Sequence, residues 1–220
     1  MKYLNFHTHQ NLETANEQAI YNVAIADIAE LEQPPNNWVS VGIHPWHIDA
    51  QRHESQLRLV EKYSQDTRVL AIGECGLDRQ TALPVAQQLV IFEAHVQLAE
   101  QLKKPVLVHC IRAFDELLAW KKRTKTSVPL VVHGFNSNLQ IGQQLIKHGF
   151  WFSLGAALLR PQSNATSLLK TMPIEKFFLE NDNHGIAIEA IYEATAQHVE
   201  LTVDALKRQI WRNFEAVVNF

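Results

Sequence analysis

The chain has 220 residues, 46% hydrophobic and 20% charged, an ordinary globular composition for which a single domain spanning residues 1–220 is expected. A formal net charge of −3 excludes a broad nucleic-acid-binding face, because sequence-independent grip on a duplex needs many Lys and Arg contacts to phosphate. No apolar stretch approaches the roughly 20 residues that span a bilayer, and Met1-Lys2-Tyr3-Leu4-Asn5 lacks a signal-peptide pattern, so a cytoplasmic protein with no membrane association and no obligate protein partner is expected.

Short β-branched or aromatic runs alternate with segments of helical period, the pattern of a parallel sheet with crossover helices. Strands are predicted at residues 3–7, 18–24, 38–43, 69–74, 105–109, 129–133, 149–154 and 176–181, and this number of runs implies an α/β fold, a closed (β/α)8 barrel of TIM type. Only residues 10–17 separate the first two strands. A parallel crossover needs about a dozen or more, so the barrel is expected to be irregular there and to lack a helix. A helix over residues 84–103 carries Val85, Leu89, Phe92, Val96, Ala99 and Leu102 on one stripe, and another over 203–218 repeats the pattern behind Thr202 as N-cap. Cys75 and Cys110 are too few for a disulfide framework and read as packing residues.

In a parallel barrel the carboxyl ends of the strands share one mouth, where chemistry is built. His7-Thr8-His9 ends the first strand with two imidazoles on one face. Glu74 ends the fourth strand, His109 the fifth and His133 the sixth, while Glu180-Asn181-Asp182 closes the eighth. A lone histidine after an apolar strand is ordinarily a hydrogen-bonded core residue. Recurrence of His7, His9, Glu74, His109, His133 and Asp182 at equivalent positions in five units instead describes a cage for divalent cations.

Asn5-Phe6-His7-Thr8-His9, Val41-Gly42-Ile43-His44-Pro45-Trp46, Ala71-Ile72-Gly73-Glu74-Cys75-Gly76-Leu77-Asp78, Val108-His109-Cys110-Ile111-Arg112-Ala113 and the final Asn213-Phe214 resemble the successive motifs of the TatD family of metal-dependent deoxyribonucleases. The resemblance covers essentially the whole chain, and Gly73-Glu74-Cys75-Gly76-Leu77-Asp78 is its most specific piece. It implies two divalent ions, with His7 and His9 on one, Glu74 bridging, His109 and His133 on the other, and Asp182 touching metal and handling the proton of an attacking water. Two departures bear on substrate. His133-Gly134-Phe135-Asn136-Ser137 stands where many members have His-Cys-Phe-Ser-Gly, and the long loop expected after Asp182 is reduced to Asn183-His184-Gly185.

The implied activity is hydrolysis of DNA or another phosphodiester gripped at few phosphates, with Glu74 and Asp182 catalytic and the ion Mg²⁺, Mn²⁺ or Zn²⁺. His44, beyond the third strand, and Arg112, at the start of a helix, are candidate phosphate contacts. Asp78 is expected to order the loop after Glu74. The basic run Lys121-Lys122-Arg123-Thr124-Lys125 falls at the end away from the mouth and reads as a helix C-terminus. Alternative readings are a PHP-type phosphoesterase, suggested by Asp182-Asn183-His184, an amide or ester hydrolase including tRNA deacylation, and a catalytically silent metal-binding relative.

Overall fold

A computed structural model describes residues 1–10, 14–25 and 38–219. Eight strands, β1 (Tyr3–Thr8), β2 (Glu17–Ala24), β3 (Trp38–Gly42), β4 (Val69–Asp78), β5 (Val106–Ile111), β6 (Leu130–Val132), β7 (Trp151–Leu154) and β8 (Phe177–Leu179), pair in sequence order, every pair parallel. Helices α1 (His53–Tyr63), α2 (Val85–Leu102), α3 (Phe114–Arg123), α4 (Leu139–Lys147) and α5 (Asn164–Leu169) lie in the connections from β3 to β8, and α6 (Ile188–His198) and α7 (Val203–Val218) follow β8. The architecture is the expected barrel, irregular at its start: β1 and β2 are parallel neighbours, and residues 9–10 and 14–16 of their connection are not helical, while 11–13 lie outside the described residues.

Strands buried on both faces should read as largely apolar runs, as β5 to β8 do, while β1 and β2 also carry buried polar residues. Leu4, Val39, Ile72, Val106, Val131, Phe152 and Phe178 are fully enclosed, and Phe6 stacks on Phe178 at 3.9 Å between ring centres. Each such side chain contributes about 1.5–3 kcal/mol through burial. The last helix α7 begins on Thr202, whose hydroxyl accepts from Ala205 N at 3.2 Å, and packs Leu206, Ile210, Phe214 and Val217 inward. Asn213, on the same face, donates to the carbonyls of Ile174 and Phe177 at 2.9 and 2.8 Å and ties α7 to the entry of β8.

Three expectations need correction. The fourth strand does not end at Glu74 but runs on to Asp78, because one extra residue between Ile72 and Cys75 bulges the strand and pairing with β5 resumes beyond it. Gly73 and Gly76 permit this with φ of 136° and 149°, and a Cβ at either would collide with β5 backbone at Leu107 or His109. Secondly, β6 and β8 are shorter than predicted, so His133 and Asp182 stand on the segments just past their strands. Thirdly, the inward face of α2 is not a purely apolar stripe: Val85, Leu89 and Leu102 are half-buried, whereas Gln88 and His95 are enclosed. Both polar side chains are satisfied by backbone groups. Gln88 accepts from Asp78 N at 2.7 Å and donates to Asp78 O at 2.9 Å, while His95 Nδ1 donates to Ile91 O at 2.7 Å and its Nε2 accepts from Ile43 N at 3.0 Å.

Complete burial pushes the His95 imidazole down from 6.5 to about 4. Between those values the unfolded chain binds the extra proton, so the contribution is fully present above pH 6.5 and is lost as pH falls toward 4. The expected difference is on the order of 3 kcal/mol. Urea unfolding at pH 7 and pH 4 should show a steeper loss for the parent than for His95→Gln, which keeps an acceptor for Ile43; parallel losses in the two proteins would contradict this account.

Candidate metal centre

The six residues read from the sequence as a cage converge at the carboxyl ends of the strands. Glu74 is their hub, 3% exposed, with its two oxygens facing different partners. Oε2 lies 3.5 Å from the Nε2 atoms of both His7 and His9. On the other side, Oε1 meets His133 Nε2 at 2.7 Å, His109 Nδ1 at 2.9 Å and His44 Nε2 at 3.2 Å. Asp182 Oδ1 stands 3.4 Å from both His7 Nε2 and His9 Nε2. Three sets of donor atoms lie within 4.8 Å of one another: His7, His9 and Glu74; His7, His133 and Asp182; His44, Glu74 and His109. Spacing thus groups His133 with His7 and Asp182, whereas the family resemblance pairs it with His109.

Outer partners decide which ring nitrogen of each histidine is free. His109 Nε2 faces Asp78 Oδ2 at 3.0 Å, so this nitrogen carries the proton and Nδ1 turns its lone pair toward Glu74. His44 is the reverse. Its Nδ1 accepts from Trp46 N at 3.1 Å, which leaves the neutral ring a donor at Nε2. Two imidazoles with centres 4.3 Å apart are therefore assigned opposite chemistry: His109 can ligate a cation, and His44 can donate to an anionic oxygen. Asp78 orders the following turn, as expected, by accepting from Gln80 N at 2.7 Å. It also holds His109 and accepts from Trp46 Nε1 at 2.7 Å.

Arg112 does not sit on a helix start. Its φ of 53° places it in left-handed backbone two residues before α3, with its side chain exposed near the His109 end of β5. A cavity of about 460 Å³ opens beside Asp182 and Glu180, walled by Gly134, Phe135, Gly155 and Arg160. His184, on which the PHP reading turned, lines this cavity but belongs to none of the three donor sets.

The charge balance is that of carboxylates held ionised by imidazoles. Burial would raise the Glu74 pKa, yet the His133 charge and hydrogen bonds from His133 and His44 outweigh it and hold the carboxyl well below its usual range. Asp182 is also held low, burial being overcome by the imidazoles of His7 and His9 beside it. Burial would depress His9, but Asp182 and Glu74 lift it from 6.5 to about 9, and Glu74 and Glu180 likewise raise His133 against its burial. His44 goes the other way, since its burial prevails over Glu74.

These donors fit a divalent cation. His7 is fully buried, and neither of its ring nitrogens has a hydrogen-bond partner. Its Nε2 points at two carboxylate oxygens from 3.4–3.5 Å, too far for good hydrogen bonds and about the separation of two ligands that share one ion at roughly 2.1 Å.

The profile of the family described as TatD related DNase matches residues 8–219. A Haemophilus influenzae protein named as an uncharacterized metal-dependent hydrolase is 29% identical over 196 residues, 81% of this chain and 73% of its own length. The Yersinia pseudotuberculosis 3'-5' ssDNA/RNA exonuclease TatD is 29% identical over 192 residues, 79% of this chain and 72% of its own. With several other relatives the aligned part reaches only 56–58% of the relative's length. Among solved structures, the Escherichia coli TatD homolog YJJV superposes with a TM-score of 0.83 at 19% identity, over 99% of this chain and 98% of that one, and so shares the fold.

Beneath the hub lies a support that no sequence motif announces. Asn22, buried in β2, accepts from Glu74 N at 2.9 Å and from Ser40 Oγ at 3.1 Å. A buried asparagine within an apolar strand is visible in the sequence, but its partner sits fifty-two residues away. Asn22→Ala leaves the Glu74 amide without an acceptor, and denaturant titration should record a loss of about 1–3 kcal/mol. A change under about 0.5 kcal/mol would show that the amide finds another partner.

Proposed function

Because this chain belongs to the TatD-related DNase family of metal-dependent hydrolases, we propose that it cleaves phosphodiester bonds at the ends of single-stranded nucleic acid. The observation that carries this reading is the two-sided environment of Glu74, with His7 and His9 against one oxygen and His109 and His133 against the other. Two divalent ions, Mg²⁺, Mn²⁺ or Zn²⁺, would be held by His7, His9 and Asp182 on one side of this carboxylate and by His109 and His133 on the other. When bound, ions of this kind lower the pKa of water and polarise a phosphoryl oxygen.

The chain's own groups supply the rest. Asp182 is partly open to the cavity, with 25% of its side chain exposed, and is positioned to accept a proton from the attacking water and return it to the leaving oxygen. His44, fixed by Trp46 as a donor at Nε2, offers a hydrogen bond to a nonbridging phosphate oxygen. Arg112, exposed just past the end of β5 that carries His109, would clamp a neighbouring phosphate. Such a grip on few phosphates is in keeping with the net charge of −3.

Protein stripped of metal should regain turnover of a single-stranded oligonucleotide on addition of Mg²⁺, Mn²⁺ or Zn²⁺, and Glu74→Gln should lose at least about 10³-fold in kcat; equal rates in variant and parent would sink the proposal. Cation binding must also displace the proton that His9 holds up to about pH 9. Affinity should therefore rise as pH increases from 6.5 toward 9, by up to roughly tenfold per unit for each proton displaced. Calorimetry in buffers of different ionisation enthalpy should detect proton release, and pH-independent uptake would refute the displacement.

A further inference from the structure

Trp46 belongs to the mouth, and while its backbone N–H orients His44, its indole ring has no part in the chemistry above. Among the described residues it is the only Phe, Tyr or Trp ring left exposed, at 64%, although a 25.1 kDa barrel has ample core to enclose it. Its position is nonetheless fixed. Pro45–His47 form a single 3-10 turn directly after β3, and the Trp46 backbone N–H is bonded to His44. The indole Nε1 donates at 2.7 Å to Asp78 Oδ2, the oxygen that also holds His109. Only the edge of the ring is used by that bond. His44 meets the indole at 89° with centres 5.2 Å apart, and the same His44 reaches Glu74 at 3.2 Å.

An indole whose polar atom is satisfied and whose residue stays 64% exposed is held in place at the cost of the burial that would otherwise stabilise it. What such a surface recognises is another flat π-system. Resting on the reading of the site as a single-strand phosphodiesterase, we infer that the exposed face of Trp46 is a stacking platform for the nucleobase next to the scissile phosphate. Stacking on an aromatic ring is tolerant of base identity, because every base has a π-face. The platform therefore adds grip without sequence preference and without adding positive charge to an acidic protein. The Asp78 anchor also sets the distance between the stacked base and the donor at His44, so that the phosphate of the same nucleotide falls among Glu74, His44 and His109.

The test is a binding cycle in Mn²⁺ with a fluorescent, hydrolysis-resistant phosphorothioate oligonucleotide, measured by anisotropy for the parent, Trp46→Leu and Trp46→Phe. Each protein is titrated with the intact strand and with strands carrying one abasic unit at successive positions from either end. For the parent, removing the base at one terminal position should weaken binding about tenfold. Trp46→Leu should bind the intact strand about tenfold less well and show no further penalty at that position, whereas Trp46→Phe, which keeps a π-face but loses the bond to Asp78, should restore most of both. If the abasic penalty is unchanged in Trp46→Leu, or if Trp46→Phe behaves like Trp46→Leu, Trp46 acts only by holding Asp78 and the inference fails. It fails equally if the parent binds no strand. A parent that shows the Trp46-dependent pattern but hydrolyses no phosphodiester overturns the proposed activity and leaves the platform standing; hydrolysis without a position-specific penalty does the reverse.

Discussion

A carboxylate with almost no exposure cannot stay ionised in a barrel interior unless its charge is matched on every side, and Glu74 imposes that requirement on the rest of the mouth. Histidines reach it from β1, β5 and the segments past β1, β3 and β6, and Asn22 of β2 holds its backbone amide. The bulge in β4 and the two glycines near Glu74 let the strand approach β5 while the carboxylate faces the mouth. Remove the charge and the reason for five imidazoles to crowd one point disappears.

The barrel seam is joined to the same centre. β8 is only three residues long, and closure against β1 relies on the residues just past its end: Asp182 N donates to His7 O at 3.1 Å, and His9 N donates to Asp182 O at 3.2 Å. Asn5 and Asn181 lock the seam a little deeper, with Asn5 Nδ2 donating to Asn181 Oδ1 at 2.8 Å and Asn181 N returning a bond to Asn5 Oδ1 at 3.2 Å. Asp182 sits in left-handed backbone, φ 52°, a conformation this paired geometry must hold. Donor placement and barrel closure are consequently one problem, solved by one short set of bonds.

Much of this was legible in the sequence because its signals are local. Apolar runs that end in His7, His109 or His133 reveal both strand and mouth, and His-x-His needs only the alternation of an extended chain to converge. Glu74 was equally readable, although the strand running on past it was not, since a bulge depends on how two backbones meet. Gln88 and His95 broke the predicted stripe of α2 because their value lies in barrel amides and carbonyls that helical periodicity does not encode. The roles of Asn22, the Asp78 contacts to His109 and Trp46, and the two tautomers were hidden for a related reason: each is defined by partners that only the folded chain brings together.

The charges of the centre balance among its own side chains. With His9 and His133 raised, protons provide the positive charge that Glu74 and Asp182 need, and the same carboxylates are low enough in pKa to stay ionised. A divalent ion held there would exchange for those protons, among donors positioned by Asp78, Trp46 and the seam. Donors ordered in this way by the fold would leave little of an ion's binding free energy to be spent on assembling them.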